Sequence, residues 1–476
     1  MPNERLRNFV QLFGTNVVTK VTWALTLLLL LHGLGMKSFG FLAASWSSAT
    51  IAAGAVDIGA GQVLLREGSR DPASSRPLAS KTLQLQMLMT LLLIIALAIG
   101  GWLLLPNDTL SPWQRACVIT LAVATPLIDR LQALFTVCSQ LGGNYASYTR
   151  LRSGYFISVL VVLATTLALH GGLLAISVAY FALTAVFAAA MAADTWRLLP
   201  ARSDSPAIIR ASTLILRGLP FLGIMTLTLA YGRVEVSVLG GWGRTAAAGA
   251  FHIAYQAVLL VYSVAGMFFT ITYPRLYGHR GNNAALASDY RDSVRWLSLL
   301  GWLTAPLLML YAEPMMRMVG GAALAHFSPM LRVLSVLVLM TPASAALNFL
   351  LPLDRLRWRI ACDAAGVSIA TAGAAYAAAT MRPAWAATAE VCGYGCAMLC
   401  AHWAASRALP TAGRMLAVEF CRIGWRVIPA TLLAWLIPCP WWLGCLVFVG
   451  TSLVLLMITR HPACERLWPW RSHRRF

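Results

Sequence analysis

Apolar stretches of about twenty residues recur along nearly the whole chain, and short polar segments separate them. An α-helix of that length crosses a hydrocarbon core about 30 Å thick. The pattern predicts about fourteen membrane-spanning helices, at positions 9–34, 39–65, 83–105, 115–141, 155–170, 173–196, 214–239, 246–273, 294–311, 329–351, 360–380, 384–406, 427–438 and 441–459. The predicted fold class is therefore an all-α membrane protein.

The spacing of these helices predicts two six-helix lobes followed by a further helix pair. The predicted domains are an N-terminal lobe at 1–196, a cytoplasmic connector at 197–213, a C-terminal lobe at 214–406, and an extra helix pair with a basic cytoplasmic tail at 407–476. Many transporters consist of two such repeated halves that rock around a central site.

A short internal repeat supports the two-lobe organisation. The second helix opens at a Gly-Phe motif at positions 40–41 and is followed by Arg66, while the eighth opens at Gly-Ala-Phe at 249–251 and is followed by Arg275. Each is the second helix of its half, and the predicted lobes are therefore related by parallel pseudo-symmetry.

Composition agrees with a membrane protein, since 59% of the residues are hydrophobic and 11% are charged, with a mean hydropathy of +0.70. A soluble domain carries about 25% charged residues. The net charge of +20 arises from Lys and Arg in short loops, a bias typical of the cytoplasmic side of a membrane protein rather than of a nucleic-acid surface. We therefore predict a multi-pass membrane protein with both termini cytoplasmic and no nucleic-acid partner.

The loops and motifs favour a transporter over an enzyme. The predicted outer loops are too short to form a catalytic lobe, and the chain has no phosphate-binding loop for ATP. What remains is a secondary carrier or scramblase with no cofactor, and coupling to a proton or sodium gradient is left open. Cys392, Cys396 and Cys400 share a helix face and fit either a soft-metal site or packing; packing is favoured, and no metal site is predicted.

Charged residues inside the predicted helices are candidates for function, because a charge in the bilayer costs several kcal/mol. They are Lys20, Asp57, Asp129, Arg130, Arg233 and Glu235. Counted along their helices, those of the first lobe lie roughly 12–15 Å from the cytoplasmic ends and form one layer. One interpretation is that Lys20 and Arg130 bind an anion while Asp57 or Asp129 balances them; the other is a structural ion pair between helices.

Two polar helix faces extend this set. Asn16, Lys20 and Trp23 share a face of helix one, and Gln256 shares a face of helix eight with His252. Such faces line a cavity or pack against another helix, and both interpretations stay open. His252 fits either a proton carrier or a packing group.

Several segments resemble a known family. In the first lobe these are Met36-Lys37-Ser38-Phe39-Gly40, Val56-Asp57-Ile58-Gly59-Ala60-Gly61 and Leu65-Arg66-Glu67-Gly68-Ser69-Arg70; in the second lobe they are 232–240, 248–251, 273–276, 313–314 and 318–321. They resemble the signature of the polysaccharide transporter, or O-antigen flippase, family of the multidrug/oligosaccharidyl-lipid/polysaccharide exporter superfamily. One departure is Glu235 where the pattern has Asp.

The resemblance implies a function and a set of roles. It implies a V-shaped cavity and an undecaprenyl-pyrophosphate-linked oligosaccharide, turned from the cytoplasmic to the periplasmic leaflet for O-antigen, capsule or exopolysaccharide synthesis, with a polymerase and a chain-length regulator as partners within the lipid bilayer. The expected substrate-binding residues are Lys20, Arg130, Asn16, Trp23, Arg233 and Gln256, and the expected charge-balancing residues are Asp57, Asp129 and Glu235.

Four alternatives stand beside this expectation, and one of them is a passive scaffold for a glycan-assembly complex. A multidrug exporter or a peptidoglycan-precursor flippase of the same superfamily shares the architecture, and the extra C-terminal helix pair looks like that of the latter. A membrane-embedded acyltransferase or ligase needs His with Asp or Arg at the lipid interface, and no such group stands out. An exporter of cationic drugs should show cavity carboxylates in excess of basic residues, whereas the layer described above is balanced.

Overall fold

The computed structural model describes residues 2–56, 59–70, 75–104, 112–142, 145–198, 211–279, 281–436 and 440–458. Its regular structure is helical, and these residues contain no β-strand. The predicted all-α membrane fold is confirmed. Among the described residues, nine helices are long and apolar enough to cross a membrane, or ten when a bent pair counts as one span. The number of about fourteen stays a prediction.

Packing divides the chain into two compact units, Met1–Ile253 and Ala254–Phe476, called the N-unit and the C-unit below. The division follows internal packing, whereas the predicted lobes follow membrane crossings, so the lobe boundaries stay predictions. The described helices of the N-unit are α1 (Pro2–Val56), α2 (Ala60–Arg70), α3 (Ser75–Leu104), α4 (Pro112–Gly142), α5 (Tyr145–Ala168), α6 (Leu173–Leu198), α7 (Ala211–Ala230), α8 (Val234–Gly241) and the first turns of α9 (Thr245–Gly278).

Helix α1 covers what the sequence predicts as helices one and two. It bends at Gly35, which has φ 74° and ψ 164°, a conformation that glycine adopts at no steric cost. The second predicted helix extends to position 65, but α1 ends at Val56 and α2 begins at Ala60. Gly59 lies directly before α2 and has a φ of 63°, a departure from helical geometry that hydropathy alone does not detect.

The predicted seventh helix, 214–239, is also interrupted. Helix α7 ends at Ala230 and α8 begins at Val234, with Gly232 at φ 66° between them. The break places Arg233 at the N-cap of α8, just beyond the end of α7. The charged residue Arg233 therefore lies at the interruption between two helices rather than inside a continuous helix.

Helix α1 lies at the centre of the N-unit and packs on α4, α5, α7 and α8. Helix α1 also closely approaches the start of α9, since a Cβ on Gly40 would overlap the carbonyl oxygen of Thr245. A Cβ on Gly249 would lie 3.1 Å from the Cα of Gly40. The glycines that open the two halves of the sequence repeat therefore pack against each other.

The C-unit contains the remainder of α9 and nine further elements. These are α10 (Asn283–Leu310), α11 (Ala312–Ala325), α12 (Ser328–Leu339), a 3-10 turn (Thr341–Ala343), α13 (Ser344–Phe349), α14 (Leu356–Ala379), α15 (Ala384–Ser406), α16 (Ala412–Leu436) and α17 (Trp441–Ile458). Helix α11 was not predicted, because its exposed Glu313 and Arg317 and its Gly320-Gly321 pair interrupt the apolar pattern.

The last helix pair packs on α10. Ile423, Val427 and Phe448 are fully buried at this contact. The Trp302 indole donates a hydrogen bond to the carbonyl of Phe420 at 3.1 Å, and Arg295 pairs with Glu419 at 3.1 Å. The pair is therefore an integral part of the C-unit.

The outward faces of the long helices are apolar. Exposed side chains include Val17, Val21 and Leu25 on α1, Leu88 and Leu91 on α3, and many others on α16 and α17. Water-soluble proteins rarely expose apolar surface of this extent. The chain is a multi-pass membrane protein.

Candidate functional site

Lys20 lies on the first half of α1 and is half-buried, as is Asn16 one turn before it. Lys20 is within electrostatic range of two other cations, Arg152 on α5 and Arg233 at the N-cap of α8. Three segments distant in the sequence therefore bring positive charge to one region of the N-unit. We call Lys20, Arg152 and Arg233 the cationic group.

Arg152 was missed by sequence reasoning. The predicted helix begins at 155, which leaves Arg152 outside the predicted spans, whereas α5 begins at Tyr145. The guanidinium lies 5.4 Å from the ring centroid of Tyr148 and donates a hydrogen bond to its hydroxyl. The Tyr148–Arg152 spacing of one helical turn was the available signal.

Asp129 connects this group to the aromatic side chains of the unit. It lies on α4, is half-buried, and interacts electrostatically with Arg152, Tyr155 and Tyr180. The predicted layer joined Lys20 and Asp129 directly, and the structure places Arg152 in range of both. Asp57 and the side chain of Arg130 lie outside the described residues, so their predicted roles stay predictions.

Arg233 and Glu235 occupy different environments, as their spacing of two predicts. Arg233 is half-buried and donates a hydrogen bond to the carbonyl of Leu229 at 3.0 Å, and Glu235 is completely buried. Arg233 is also in range of His252, whose ring centroid lies 6.2 Å from that of Phe39.

Gln256, a predicted substrate-binding residue, is half-buried and belongs to the C-unit. The cationic group belongs to the N-unit. The role predicted for Gln256 therefore stays a prediction.

Aromatic side chains from three helices form a connected cluster beside the cations. We call Trp23, Trp46, Tyr155, Phe156, Tyr180 and Phe187 the aromatic cluster. Trp23 meets Trp46 at 5.3 Å and Phe156 at 6.1 Å between ring centroids, and Trp46 meets Tyr180 at 5.6 Å. The Tyr155 hydroxyl donates to that of Tyr180 at 3.2 Å. Trp23 is therefore part of an aromatic surface that joins α1, α5 and α6.

The chemistry of this region favours an anionic ligand. Like charges repel, and the repulsion is stronger at low dielectric than in water. Asp129 is in range of Arg152, while Lys20 experiences two like charges. Arginine forks suit phosphate oxygens, and lysine binds them as a point charge.

Cys362, Cys396 and Cys400, on α14 and α15, lie within electrostatic range of one another, but not in a geometry suited to a metal ion. No group of three or more His, Cys, Asp or Glu side chains suited to a metal ion occurs in the described part of the chain. Cys392 is exposed, and Cys396 forms a side-chain hydrogen bond with Cys400.

The chain resembles solved structures of transporters. The structure of the lipid II flippase MurJ in an inward closed conformation matches with a TM-score of 0.74 at 11% identity, over 96% of this chain and 100% of that one. The MATE multidrug transporter DinF-BH matches at 0.64 and 13% identity, over 86% and 97%. A MOP superfamily transporter from Pyrococcus furiosus matches at 0.59 and 15% identity, over 85% and 96%.

No family model and no curated protein matches the chain. At these identities the likeness shows the fold, which is that of the MurJ and MATE transporters of the MOP superfamily. These structural neighbours are transporters and flippases rather than enzymes.

Proposed function

We propose that this protein is a flippase for oligosaccharides linked to undecaprenyl pyrophosphate, and that it turns them from the cytoplasmic to the periplasmic leaflet of the bacterial inner membrane by alternating access. The observation that carries the proposal is the cationic group, in which Lys20 lies within range of both Arg152 and Arg233. The fold supports transport, and the charge of the site supports an anionic headgroup.

The argument from charge is energetic. A cation inside a membrane protein costs free energy unless it is paired or hydrated. A diphosphate offers enough acceptor oxygens and negative charge for several cations, so binding it offsets the repulsion among them. A cationic drug would increase that repulsion, and a multidrug exporter is therefore the weaker candidate.

A second candidate function is the flipping of a peptidoglycan-precursor lipid. It is favoured by the likeness to the lipid II flippase MurJ over 96% of this chain. Both candidates share the diphosphate and differ in the sugars attached to it. Comparing an oligosaccharide repeat unit with a peptide-bearing disaccharide as cargo distinguishes them.

The test uses Lys20 in cells that lack the native gene, with surface glycan as the readout. Lys20→Ala should reduce glycan export at least about tenfold, since a charge-assisted hydrogen bond contributes about 1.5–3 kcal/mol. Lys20→Arg should retain part of the export, because the charge persists with altered geometry. The matched control is Lys37→Ala, which removes an exposed lysine from the same helix.

The alternative of a structural ion pair gives a different result. If Lys20, Arg152 and Asp129 formed a charge network for stability alone, replacing Lys20 and Asp129 together with neutral residues would preserve the net charge of the network and restore export, because removal of a complete buried pair is often tolerated. We expect the double variant to remain inactive at normal protein levels. Full export by Lys20→Ala would remove this residue from the mechanism.

A further inference from the structure

On both α1 and α5, a residue of the cationic group is followed about one helical turn later by a residue of the aromatic cluster. On α1, Trp23 comes three residues after Lys20; on α5, Phe156 comes four residues after Arg152. Lys20 is in range of Arg152, and Trp23 contacts Phe156. The two helices therefore run in parallel register, with a cationic level and an aromatic level separated by one turn, about 4.5–6 Å.

The aromatic level contains a buried hydrogen-bond donor without an acceptor among the described residues. The Trp46 side chain is 6% exposed, and its indole nitrogen finds no hydrogen-bond acceptor among the described residues. Burying such a donor costs free energy unless a ligand or water accepts from it. Trp46 lies against Trp23, which is half-buried and so retains accessible ring surface.

From this juxtaposition we infer that the aromatic cluster is a subsite for the sugar ring attached directly to the diphosphate. In the bound state, the cationic group holds the diphosphate, Trp23 covers an apolar face of the sugar, and Trp46 donates to a sugar hydroxyl. The inference rests on the proposed function. The inference adds that the protein selects its cargo by the first sugar as well as by the negative charge of the diphosphate.

The covalent structure of the cargo explains the spacing. The first sugar is bonded to the diphosphate, so groups that recognise the two must lie on adjacent levels. An aromatic ring offers a large apolar face of low conformational freedom, and an indole N–H adds direction. An aromatic cluster that only packs α1 against α5 and α6 would place no requirement on the cargo.

The experiment measures equilibrium binding of radiolabelled lipids to the purified full-length protein in nanodiscs. The probes are undecaprenyl diphosphate without sugar and the same lipid carrying N-acetylglucosamine, glucose or galactose. The wild type should bind at least one sugar-bearing lipid about tenfold more tightly than the sugar-free lipid, which corresponds to about 1.4 kcal/mol. Trp23→Leu should reduce that preference to less than about twofold while retaining affinity for the sugar-free lipid.

A second variant tests the inference if Trp23→Leu folds poorly, and a third serves as the control. Trp46→Phe retains an aromatic ring and removes the indole donor, so it should weaken the preference without changing binding of the sugar-free lipid. Trp385→Leu makes the same type of change at an exposed tryptophan of the C-unit and should alter neither affinity.

The outcomes separate the inference from the proposed function. Equal wild-type affinity for the sugar-free and all sugar-bearing lipids overturns the inference and leaves the flippase proposal standing. A parallel loss of both affinities in Trp23→Leu and an unchanged preference in Trp46→Phe would show that the cluster only packs. If the wild type binds none of the diphosphate lipids, the proposed function itself fails.

Discussion

Arg359 and Asp363 form a buried ion pair one turn apart on α14, with Nε and Oδ2 at 2.6 Å and side chains 8% and 0% exposed. Arg359 also interacts with Tyr273 and Tyr394, which belong to α9 and α15. Breaking a buried pair leaves one charge without compensation, whereas removing both charges is often neutral. Variants of this pair therefore measure how the C-unit stabilises buried charge.

We expect Arg359→Met to lower the free energy of unfolding by about 3–5 kcal/mol and the double variant Arg359→Met/Asp363→Leu to lower it by much less. Thermal unfolding in detergent, followed by tryptophan fluorescence, measures the difference. Equal destabilisation by the single and double variants would mean that the tyrosine contacts, rather than the ion pair, maintain this region. The exposed pair Arg317–Glu313 is a matched control, and its loss should have little effect.

Individual site residues could be predicted to different degrees. Lys20 and Trp23 were found because a cation and an indole on one face of an apolar helix are unusual, and the structure places both beside further cations or aromatic rings. Arg152 was missed because it lies near the start of its helix, where hydropathy does not distinguish a helical cation from a loop cation. Which cation meets which carboxylate depends on long-range packing, and one sequence does not contain that information.

At the scale of elements, the contact of α1 with α9 depends on glycine. Gly40 lies where a side chain would overlap the backbone of Thr245, and Gly249 lies against Gly40. Small residues permit such close helix approach in membranes. The contact joins the opening turns of the two helices that carry the sequence repeat.

Gly40→Ala should therefore separate α1 from α9 and destabilise the fold by about 1–3 kcal/mol, the usual cost of overpacking. The control is Gly14→Ala on the same helix, where an added Cβ meets no described atom within 4 Å and the better helix propensity of alanine should be neutral or stabilising. Fluorescence-detected melting of both variants measures this. Identical melting temperatures for Gly40→Ala and the wild type would show that the approach is not required.

The positions of most helices were predictable from hydropathy, because length and apolarity are set by the membrane. The interruptions of these helices were less predictable from hydropathy. Gly35, Gly59 and Gly232 all adopt positive φ at turns inside or beside predicted spans, while Gly14 and Gly240 adopt no such φ and lie in continuous helix. Composition does not tell these two kinds of glycine apart, since local backbone conformation follows from tertiary packing.

For the whole molecule, the central claim is that an all-helical carrier of the MurJ and MATE fold moves an anionic, sugar-bearing lipid. Two properties of the chain support it: the fold likeness, which extends over 96% of the chain for the lipid II flippase MurJ, and a site at which Lys20 lies within electrostatic range of two further cations. The fold alone is shared with multidrug transporters. The identity of the cargo therefore has to be measured.

The most direct measurement is translocation by the purified protein in liposomes. The vesicles carry undecaprenyl diphosphate linked to an oligosaccharide, and a membrane-impermeant glycosidase or lectin reports the sugar exposed on each leaflet. We expect protein-dependent transfer of this lipid, loss of transfer in Lys20→Ala, and no accumulation of a cationic dye under either a proton or a sodium gradient. Dye transport without movement of the lipid-linked oligosaccharide would contradict the central claim.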